Sequence, residues 1–220
     1  MKHNARTERT RVKRLPKRGI YDQASIHRIL DEGLVAHVGF VVDGQPYVVP
    51  TAYARDGERL LLHGSAASRM LRTLASGADC CVTVTLTDAL VLARSAFHHS
   101  MNYRSVVVLG RARAIEDPAA KLEAFRLFFE AVIPGRWDTV RLPNQKEMDQ
   151  TLLVEIPIDE ASAKARTEGA LDEEDDYALP VWAGLIPLAL TPAAPVPDDR
   201  LFDGVTTPDY ATHYTRKRGR

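Results

Sequence analysis

The sequence feature that most constrains the fold is a pair of apolar segments joined by the dipeptide Asp43-Gly44. Residues 34–42 and 45–54 are rich in Val, Ala and aromatic side chains, a composition that favours extended backbone. The Asp-Gly dipeptide tolerates the positive φ angles that a tight type I′ turn requires. Because Pro50 cannot donate a hydrogen bond to a strand ladder, it predicts an edge position or a bulge in the second segment. The sequence therefore predicts a β-hairpin here.

Further strand patterns continue this meander. A second turn at residues 55–58 leads into a strand over residues 59–63, and segments rich in Val, Leu or Thr predict more strands at residues 79–87, 89–96, 103–115 and 152–158. Connections this short leave no room for the crossovers that parallel strands need. We therefore expect an α+β, mainly β protein: an antiparallel, Greek-key-like β-barrel or strongly curled sheet with flanking helices.

Three helices are predicted between these strands. Asp22 can cap a helix that stops at Gly33, a short helix follows Ser68, and a longer helix begins at Pro118. Helical spacing indicates the residues that face inward: Ile26, Ile29 and Leu30, then Met70, Leu71 and Leu74, then Leu122, Phe125, Phe129 and Val132.

Charge is balanced overall but segregated along the chain. Lys and Arg number 29, as do Asp and Glu, and this balance argues against non-specific nucleic-acid binding by the whole chain. Residues 1–20 form a basic arm, residues 21–168 the barrel domain, and residues 169–220 an acidic, Pro-rich extension with a basic tail. The charged segments are interpreted as solvated, with docking to an acidic partner or nucleic acid as the alternative. In a dimer, the opposite charges are expected to meet across subunits.

Composition also narrows the cellular setting. No apolar stretch approaches the roughly 20 residues that span a bilayer, and no apolar segment follows the basic amino terminus as in a secretory signal. Cys80 and Cys81 are adjacent, too close for an ordinary structural disulfide, and no metal-ligand cluster accompanies them. We therefore expect a cytoplasmic protein without a membrane segment or a metal site.

The segment from His63 to Arg69 carries the most informative site pattern. Small residues allow a ligand close to the backbone, a helix amino terminus presents unpaired N–H groups, and Ser65, Ser68 and Arg69 add donors. The pattern predicts an anion site, or equally an ordinary serine-capped helix with an exposed arginine. His63 at the strand end is either a structural residue or a proton donor near neutral pH.

A second polar segment precedes an apolar strand. His98 and His99 are adjacent and point apart, and no further ligand completes a metal set. A polar connection between strands is the simpler interpretation. The alternative is that this segment reaches a cofactor, because hydrogen-bonding groups concentrate in it: Ser100, Asn102, Tyr103, Arg104 and Ser105.

Together these segments resemble the pyridoxamine 5′-phosphate oxidase-like FMN-binding split barrels, in particular the branch of 5-nitroimidazole-resistance flavoproteins. The resemblance rests on residues 18–22, the hairpin 35–53 with its inserted Pro50-Thr51, residues 61–65 and 68–70, residues 90–94, 98–106 and 110–112, and residues 181–184.

The resemblance implies a homodimer with one FMN in each of two clefts at the subunit interface. In this family Ser68 and Arg69 would hold the FMN phosphate, and Met70 stands where the oxidases place a basic residue. The other cofactor-binding positions implied are Pro50, Thr51, Ala52, Tyr53, His63, Gly64, Ser65, Tyr103, Arg104 and Ser105.

The resemblance also implies a function. We expect an FMN-dependent oxidoreductase of the nitroreductase or flavin reductase kind that reduces a small electron-poor substrate, with His63 as the catalytic residue supplying a proton. The tryptophan-and-arginine motif that ends the oxidases is absent, which argues against pyridoxamine phosphate oxidation. A non-catalytic flavin- or haem-binding carrier or sensor is the alternative, and a deazaflavin in place of FMN stays open.

Overall fold

The computed structural model describes residues 7–215, which form eleven β-strands and five α-helices. The strands are β1 (Gly19–Ile20), β2 (Val35–Val42), β3 (Gln45–Ala52), β4 (Ala54–Asp56), β5 (Arg59–Ser65), β6 (Asp79–Leu92), β7 (Ser100–Arg111), β8 (Arg113–Ala114), β9 (Thr151–Pro157), β10 (Glu160–Arg166) and β11 (Gly184–Pro187). The helices are α1 (Gln23–Glu32), α2 (Arg69–Ala75), α3 (Pro118–Val132), α4 (Gln145–Asp149) and α5 (Asp209–Thr212).

Two antiparallel sheets close on one another. The larger sheet has the order β1-β10-β7-β6-β2-β3, with β11 paired to β6, and the smaller sheet has the order β4-β5-β9-β8. Every described strand pair is antiparallel. The predicted α+β, mainly β split barrel is therefore confirmed.

The two faces of β5 separate two apolar cores. Leu60 and Leu62 point into the barrel, where they join the buried residues of α1 and α2. Leu61 points the other way, into a smaller core that it shares with Ala124 and Phe128 of α3. Because successive side chains of a strand point to opposite faces, His63 lies on the α3 side.

The hairpin forms as the sequence predicts. Asp43 and Gly44 have φ angles of 50° and 78°, which are the positive values of a type I′ turn. Strand β3 lies at the edge of the larger sheet, so the missing N–H of Pro50 interrupts no inner ladder. The helix caps are also confirmed: Asp22 accepts a hydrogen bond from Ser25 N at 2.9 Å, and Ser68 accepts one from Leu71 N at 3.4 Å.

The prediction of separate strands at residues 79–87 and 89–96 is wrong. Strand β6 runs through both segments, and its register with β7 shifts between Thr87 and Ala89. This irregularity leaves Asp88 unpaired in the ladder, and its carboxylate accepts hydrogen bonds from Arg104. A bulge therefore replaces the break, because a β-bulge bends a strand without ending it.

Strands β1, β10 and β11 and helices α4 and α5 have no counterpart in the sequence prediction. Strand β10 consists of Glu, Ala, Ser, Lys and Arg, which are residues that favour helices or the protein surface more than strands. Strand β11 has four residues and helix α4 has five, lengths at which periodicity carries little information.

Several opposite charges meet within the chain, and their meeting across subunits stays a prediction. Arg18 pairs with Glu168, and Arg94 with Asp172 at 3.1 Å. Asp172 also accepts from the backbone N–H of Arg94 and Ser95. The predicted basic positions Lys2 and Arg6 and the tail at residues 216–220 lie outside the described residues. Within the described part, no helix is both long and apolar enough to cross a membrane.

Candidate functional site

The junction between β5 and α2 is a polar turn at the surface of the barrel. Ser65 ends β5 opposite Thr151, and its hydroxyl accepts from Ala67 N at 3.2 Å. A Cβ at Gly64 would lie 3.1 Å from Leu71 Cδ1, so a side chain there would press on the start of α2. The serine and glycine pattern thus shapes a tight turn whose polar groups face outward.

Arg69 stands over this junction. Its guanidinium lies 4.0 Å from the centroid of the Tyr47 ring, a distance at which a cation is attracted to an aromatic face. No carboxylate within the described chain lies within ion-pair distance of Arg69. An exposed arginine held by a ring and without a carboxylate partner is suited to bind an anion.

The predicted flavin-edge residues divide between the surface and the core. Pro50 and Ala52 are exposed on β3, and Thr51 is half-buried. Tyr53 is completely buried, and its hydroxyl donates to the carbonyl of Leu30. Met70 is also in the barrel core. The side chains of Tyr53 and Met70 are therefore closed to a surface ligand, whereas Pro50 and Ala52 are open to one.

His63 packs against helix α3. Its ring makes edge contacts with Phe125, at a centroid distance of 5.0 Å, and with Phe128, at 4.3 Å. Nδ1 is buried and has no hydrogen-bond partner. Burial lowers the pKa of the imidazole below its usual value, so the ring is neutral near pH 7 and ill-suited to donate a proton.

The second predicted group lies elsewhere on the larger sheet. Tyr103 and Ser105 are half-buried on one face of β7, and the Ser105 hydroxyl donates to the carbonyl of Lys164 at 3.4 Å. Arg104 points to the opposite face. There it is paired with Asp88 at 2.8 Å and Glu32 at 2.7 Å, and these carboxylates raise its pKa. Arg104 is therefore a structural cation in this chain.

The structure brings only part of the predicted site together. The Arg69–Tyr47 contact joins the β5–α2 junction to the face of β3 that carries Thr51, whereas Pro50 and Ala52 lie on the opposite, exposed face of this edge strand. Three strand spacings separate β7 from β3 in the sheet, or about 14 Å. Tyr103 and Ser105 therefore form a separate polar group on the same chain.

An aromatic cluster around His63 was missed by the sequence analysis. Phe125 contacts Phe129 at 5.0 Å and Trp137 at 6.1 Å, so four rings including Phe128 surround one side of the imidazole. Helical periodicity predicted the inward direction of Phe125 and Phe129. Helical periodicity in α3 gave no signal that strand β5 would place His63 against Phe125 and Phe128.

A surface cavity on the barrel lies away from both groups. It has a volume of about 480 Å³, and its lining includes His27, Asp31, Arg55 and Glu58. Arg55 and Asp31 pair through two hydrogen bonds of 2.7 and 2.6 Å, and His27 Nε2 lies 3.3 Å from Glu58 Oε2. The charges of Arg55 and Asp31 are thus satisfied by one another, and none of the lining residues belongs to the predicted site.

The two curled sheets, the edge hairpin and the arginine at the mouth of the barrel define the class of split β-barrel proteins. The sequence profile of the pyridoxamine 5′-phosphate oxidase family matches residues 22–165, well over half of the chain. The chain belongs to this family, and the family resemblance inferred from the sequence is confirmed. No curated protein matches the chain.

Solved structures give a more detailed comparison. The flavocytochrome Anf3 from Azotobacter vinelandii is 42% identical, with a TM-score of 0.90, and the match covers 95% of this chain and 97% of that one. The FAD and heme binding protein from Mycobacterium smegmatis is 33% identical, with a TM-score of 0.85 and coverages of 90% and 98%. A Bacteroides thetaiotaomicron protein described for 5-nitroimidazole antibiotic resistance is 21% identical, with a TM-score of 0.56 and coverages of 67% and 86%, and it shares the fold.

Proposed function

We propose that this chain is a redox protein that binds both a flavin and a haem. The observation that carries the proposal is the 42% identity to a flavocytochrome over 95% of the chain. A second relative, 33% identical, is named for FAD and heme. Both matches extend well beyond the barrel, so they include the surroundings in which each cofactor would lie.

The flavin is assigned to the β5–α2 junction and the β3 edge. The backbone N–H groups of Ala66, Ala67 and Ser68 already donate within the chain, so Arg69 and the hydroxyl groups of Ser65 and Ser68 would hold a phosphate. Pro50 and Ala52, at the edge of the sheet, would contact the ring or ribityl chain. When bound, the flavin supplies two-electron chemistry, while the protein orients it and limits water access. The sequence prediction of FMN stays a prediction, and the name of the 33% identical relative favours FAD instead.

His63 fits the haem. A neutral imidazole is the form that binds a metal ion, and haem iron is commonly held by a histidine. Burial keeps this ring neutral, and the phenylalanines beside it offer the apolar surface that a macrocycle requires. Burying Nδ1 without a hydrogen-bond partner costs free energy, and a ligand or a bound water would offset that cost.

The other described histidines fit less well. His27 Nε2 is also buried without a hydrogen-bond partner, but charged groups surround it, with Glu58 at 3.3 Å and Arg55 and Asp31 lining the same cavity. His98 lies 3.4 Å from Glu173, and His99 Nδ1 contacts the carbonyl of Ser95 at 2.9 Å. His37 and His213 are exposed. Under this proposal His63 is an iron ligand, in place of the proton donor expected from sequence.

A homodimer completes the proposal. Val35, Val41 and Val48 of the β2–β3 hairpin are 47%, 54% and 67% exposed on one face of the larger sheet, an apolar surface of the kind that marks protein contacts. Tyr103 and Ser105 lie too far from β3 to extend its binding surface directly. In a two-fold dimer they would instead face the flavin held by the partner's hairpin.

The absorption spectrum of the purified protein tests cofactor binding. Protein supplied with hemin and with FAD or FMN is expected to show the blue-light absorption band of a flavin and the Soret band of a haem. Mass spectrometry of the released flavin distinguishes FAD from FMN. His63→Ala is expected to lose or shift the Soret band and keep the flavin. The matched control His99→Ala, at an exposed position, should keep both. A Soret band unchanged by His63→Ala would contradict the ligand assignment.

A second experiment separates an enzyme from a carrier. The flavin-loaded protein is reduced anaerobically by NADH or NADPH and then mixed with nitro compounds, quinones or dioxygen. Reoxidation with turnover supports an oxidoreductase that reduces a small electron-poor substrate. Stable reduction without turnover favours the carrier or sensor function.

A further inference from the structure

The most unusual surface of the molecule is a strap formed by residues 188–208. It is held at both ends to its own chain. Strand β11 pairs with residues 89–92 of β6, and Leu188 N donates to the carbonyl of Asp88 at 2.9 Å. At the far end the Tyr210 hydroxyl accepts a hydrogen bond from Arg136, and the Tyr214 hydroxyl donates one to the carbonyl of Val132 at 2.7 Å. The strap is therefore fixed at its ends and free of the barrel between them.

Every residue of the strap is exposed. Its large apolar side chains are among the most exposed in the described chain: Leu190 at 87%, Val196 at 91%, Phe202 at 86% and Val205 at 56%. Apart from the bond of Leu188, the hydrogen bonds of the strap are local, such as that from Leu201 N to the carbonyl of Asp198 at 3.2 Å. Its own chain covers about half of Leu188, Leu201 and Val205 and leaves Leu190, Val196 and Phe202 almost fully open to solvent.

Composition explains why the strap stays extended. Pro192, Pro195, Pro197 and Pro208 have no backbone N–H to donate, so the segment favours a polyproline conformation over a helix or an inner strand. Ordering such a segment costs about 1–2 kcal/mol per residue in backbone entropy. A chain does not offset this cost by exposing Leu, Val and Phe to water, so an external surface must cover them.

From these observations we propose that the strap of one chain packs on a second copy of the same chain. The chain carries a second uncovered apolar surface, the exposed valines of the β2–β3 hairpin. In a two-fold dimer any patch of one chain that contacts its partner does so twice, by symmetry. Two uncovered surfaces on one chain can therefore cover one another in pairs without a different partner protein.

The dimensions suit this arrangement. An extended segment of the strap's 21 residues reaches at most about 70 Å, so anchored at both ends it can still arch over a neighbouring barrel. A stable interface needs about 800 Å² from each partner. The hairpin face alone offers a few valines, and the strap adds Leu190, Val196, Phe202 and Val205. This inference deepens the homodimer of the proposed function and rests on it.

Photo-cross-linking tests the contact directly. A photo-reactive phenylalanine analogue replaces Val196 in an equal mixture of isotopically heavy and light full-length protein. Cross-links between heavy and light chains are expected, with a product at twice the 24.4 kDa chain mass. The same analogue at Leu142, which is 50% exposed between Trp137 and α4, is the control and should give no such product. Cross-links confined to one chain would overturn the proposal.

Sedimentation measures the contribution of the strap. Phe202→Asp with Leu190→Asp is expected to raise the dimer dissociation constant at least tenfold, and circular dichroism with thermal unfolding of the variant checks that the barrel stays folded. A wild-type dimer whose dissociation constant is unchanged by these substitutions would overturn the strap and leave the homodimer standing. A monomeric wild type would overturn both, and cofactor binding, read from the spectrum, would be judged separately.

Discussion

The imidazole of His63 lies edge-on to the ring of Phe128, with centroids 4.3 Å apart and planes inclined at 79°. This contact places a histidine from the end of an apolar strand inside the aromatic core beneath α3. The ring is therefore neutral near pH 7, because burial lowers its pKa. That property decides between the two roles the sequence allowed, since a neutral buried imidazole is a better metal ligand than a proton donor.

The same burial predicts a pH dependence of stability. The pKa of His63 is lower in the folded chain than the value of about 6.5 that we expect after unfolding. Below that value the unfolded chain binds the proton more tightly, so the free energy of unfolding of the cofactor-free protein should fall as the pH is lowered from 7 to 5. Urea denaturation across this range measures the decline.

His63→Phe should flatten this decline, because Phe fits among the rings and carries no titrating group. Part of the decline should persist, since burial also lowers the pKa of His27. The exposed-site variant His99→Gln should leave the curve unchanged. A curve for His63→Phe that matches the wild type would show that His63 does not carry the effect.

Arg69→Ala should weaken flavin binding. A charge-assisted hydrogen bond contributes about 1.5–3 kcal/mol, which corresponds to roughly a 10- to 150-fold rise in the dissociation constant. Flavin fluorescence titration gives that constant. Arg72→Ala, an exposed arginine three residues further along α2, is the control and should bind like the wild type. Equal affinity in both variants would mean that the phosphate lies elsewhere.

Gly33→Ala should destabilise the barrel. A Cβ at this position would lie 2.4 Å from Val84 Cγ1 and 2.8 Å from the Tyr53 hydroxyl. Both neighbours are fully buried, so relief requires a shift of the core, at a cost of about 1–3 kcal/mol. Chemical denaturation measures the change. Gly169→Ala, where no atom lies within 4 Å of the added carbon, should be nearly neutral.

Arg166→Leu should be more damaging than the loss of a surface arginine. Arg166 is 5% exposed and donates to Asn102 and to the carbonyls of Glu168 and Gly169. Removing it leaves these acceptors without their donor, and we expect a loss of about 2–5 kcal/mol in the free energy of unfolding. Arg126→Leu, whose pair with Glu123 is exposed, should cost less than about 1 kcal/mol. Similar losses in the two variants would contradict this account.

Local signals in the sequence gave most of the barrel. The dipeptide Asp43-Gly44 determined its hairpin because few residue pairs tolerate two positive φ angles, and the Asp22 and Ser68 caps marked helix starts through contacts within four residues. Strand β10 escaped prediction because its Ala-rich sequence forms a strand only by pairing with β7 and β1. The merging of two predicted strands into β6 likewise depends on Asp88 finding Arg104, sixteen residues away.

The candidate site divides in the same way. The sequence by itself determined the cap at Ser68, the exposed arginine after it and the edge proline, since each follows from the chemistry of neighbouring residues. Only the tertiary structure decided that Tyr53 and Met70 belong to the core, that Arg104 is held by two carboxylates, and that His63 faces α3. These outcomes depend on which face of a strand meets which distant element, and an alternating pattern specifies two faces without specifying what will cover each of them.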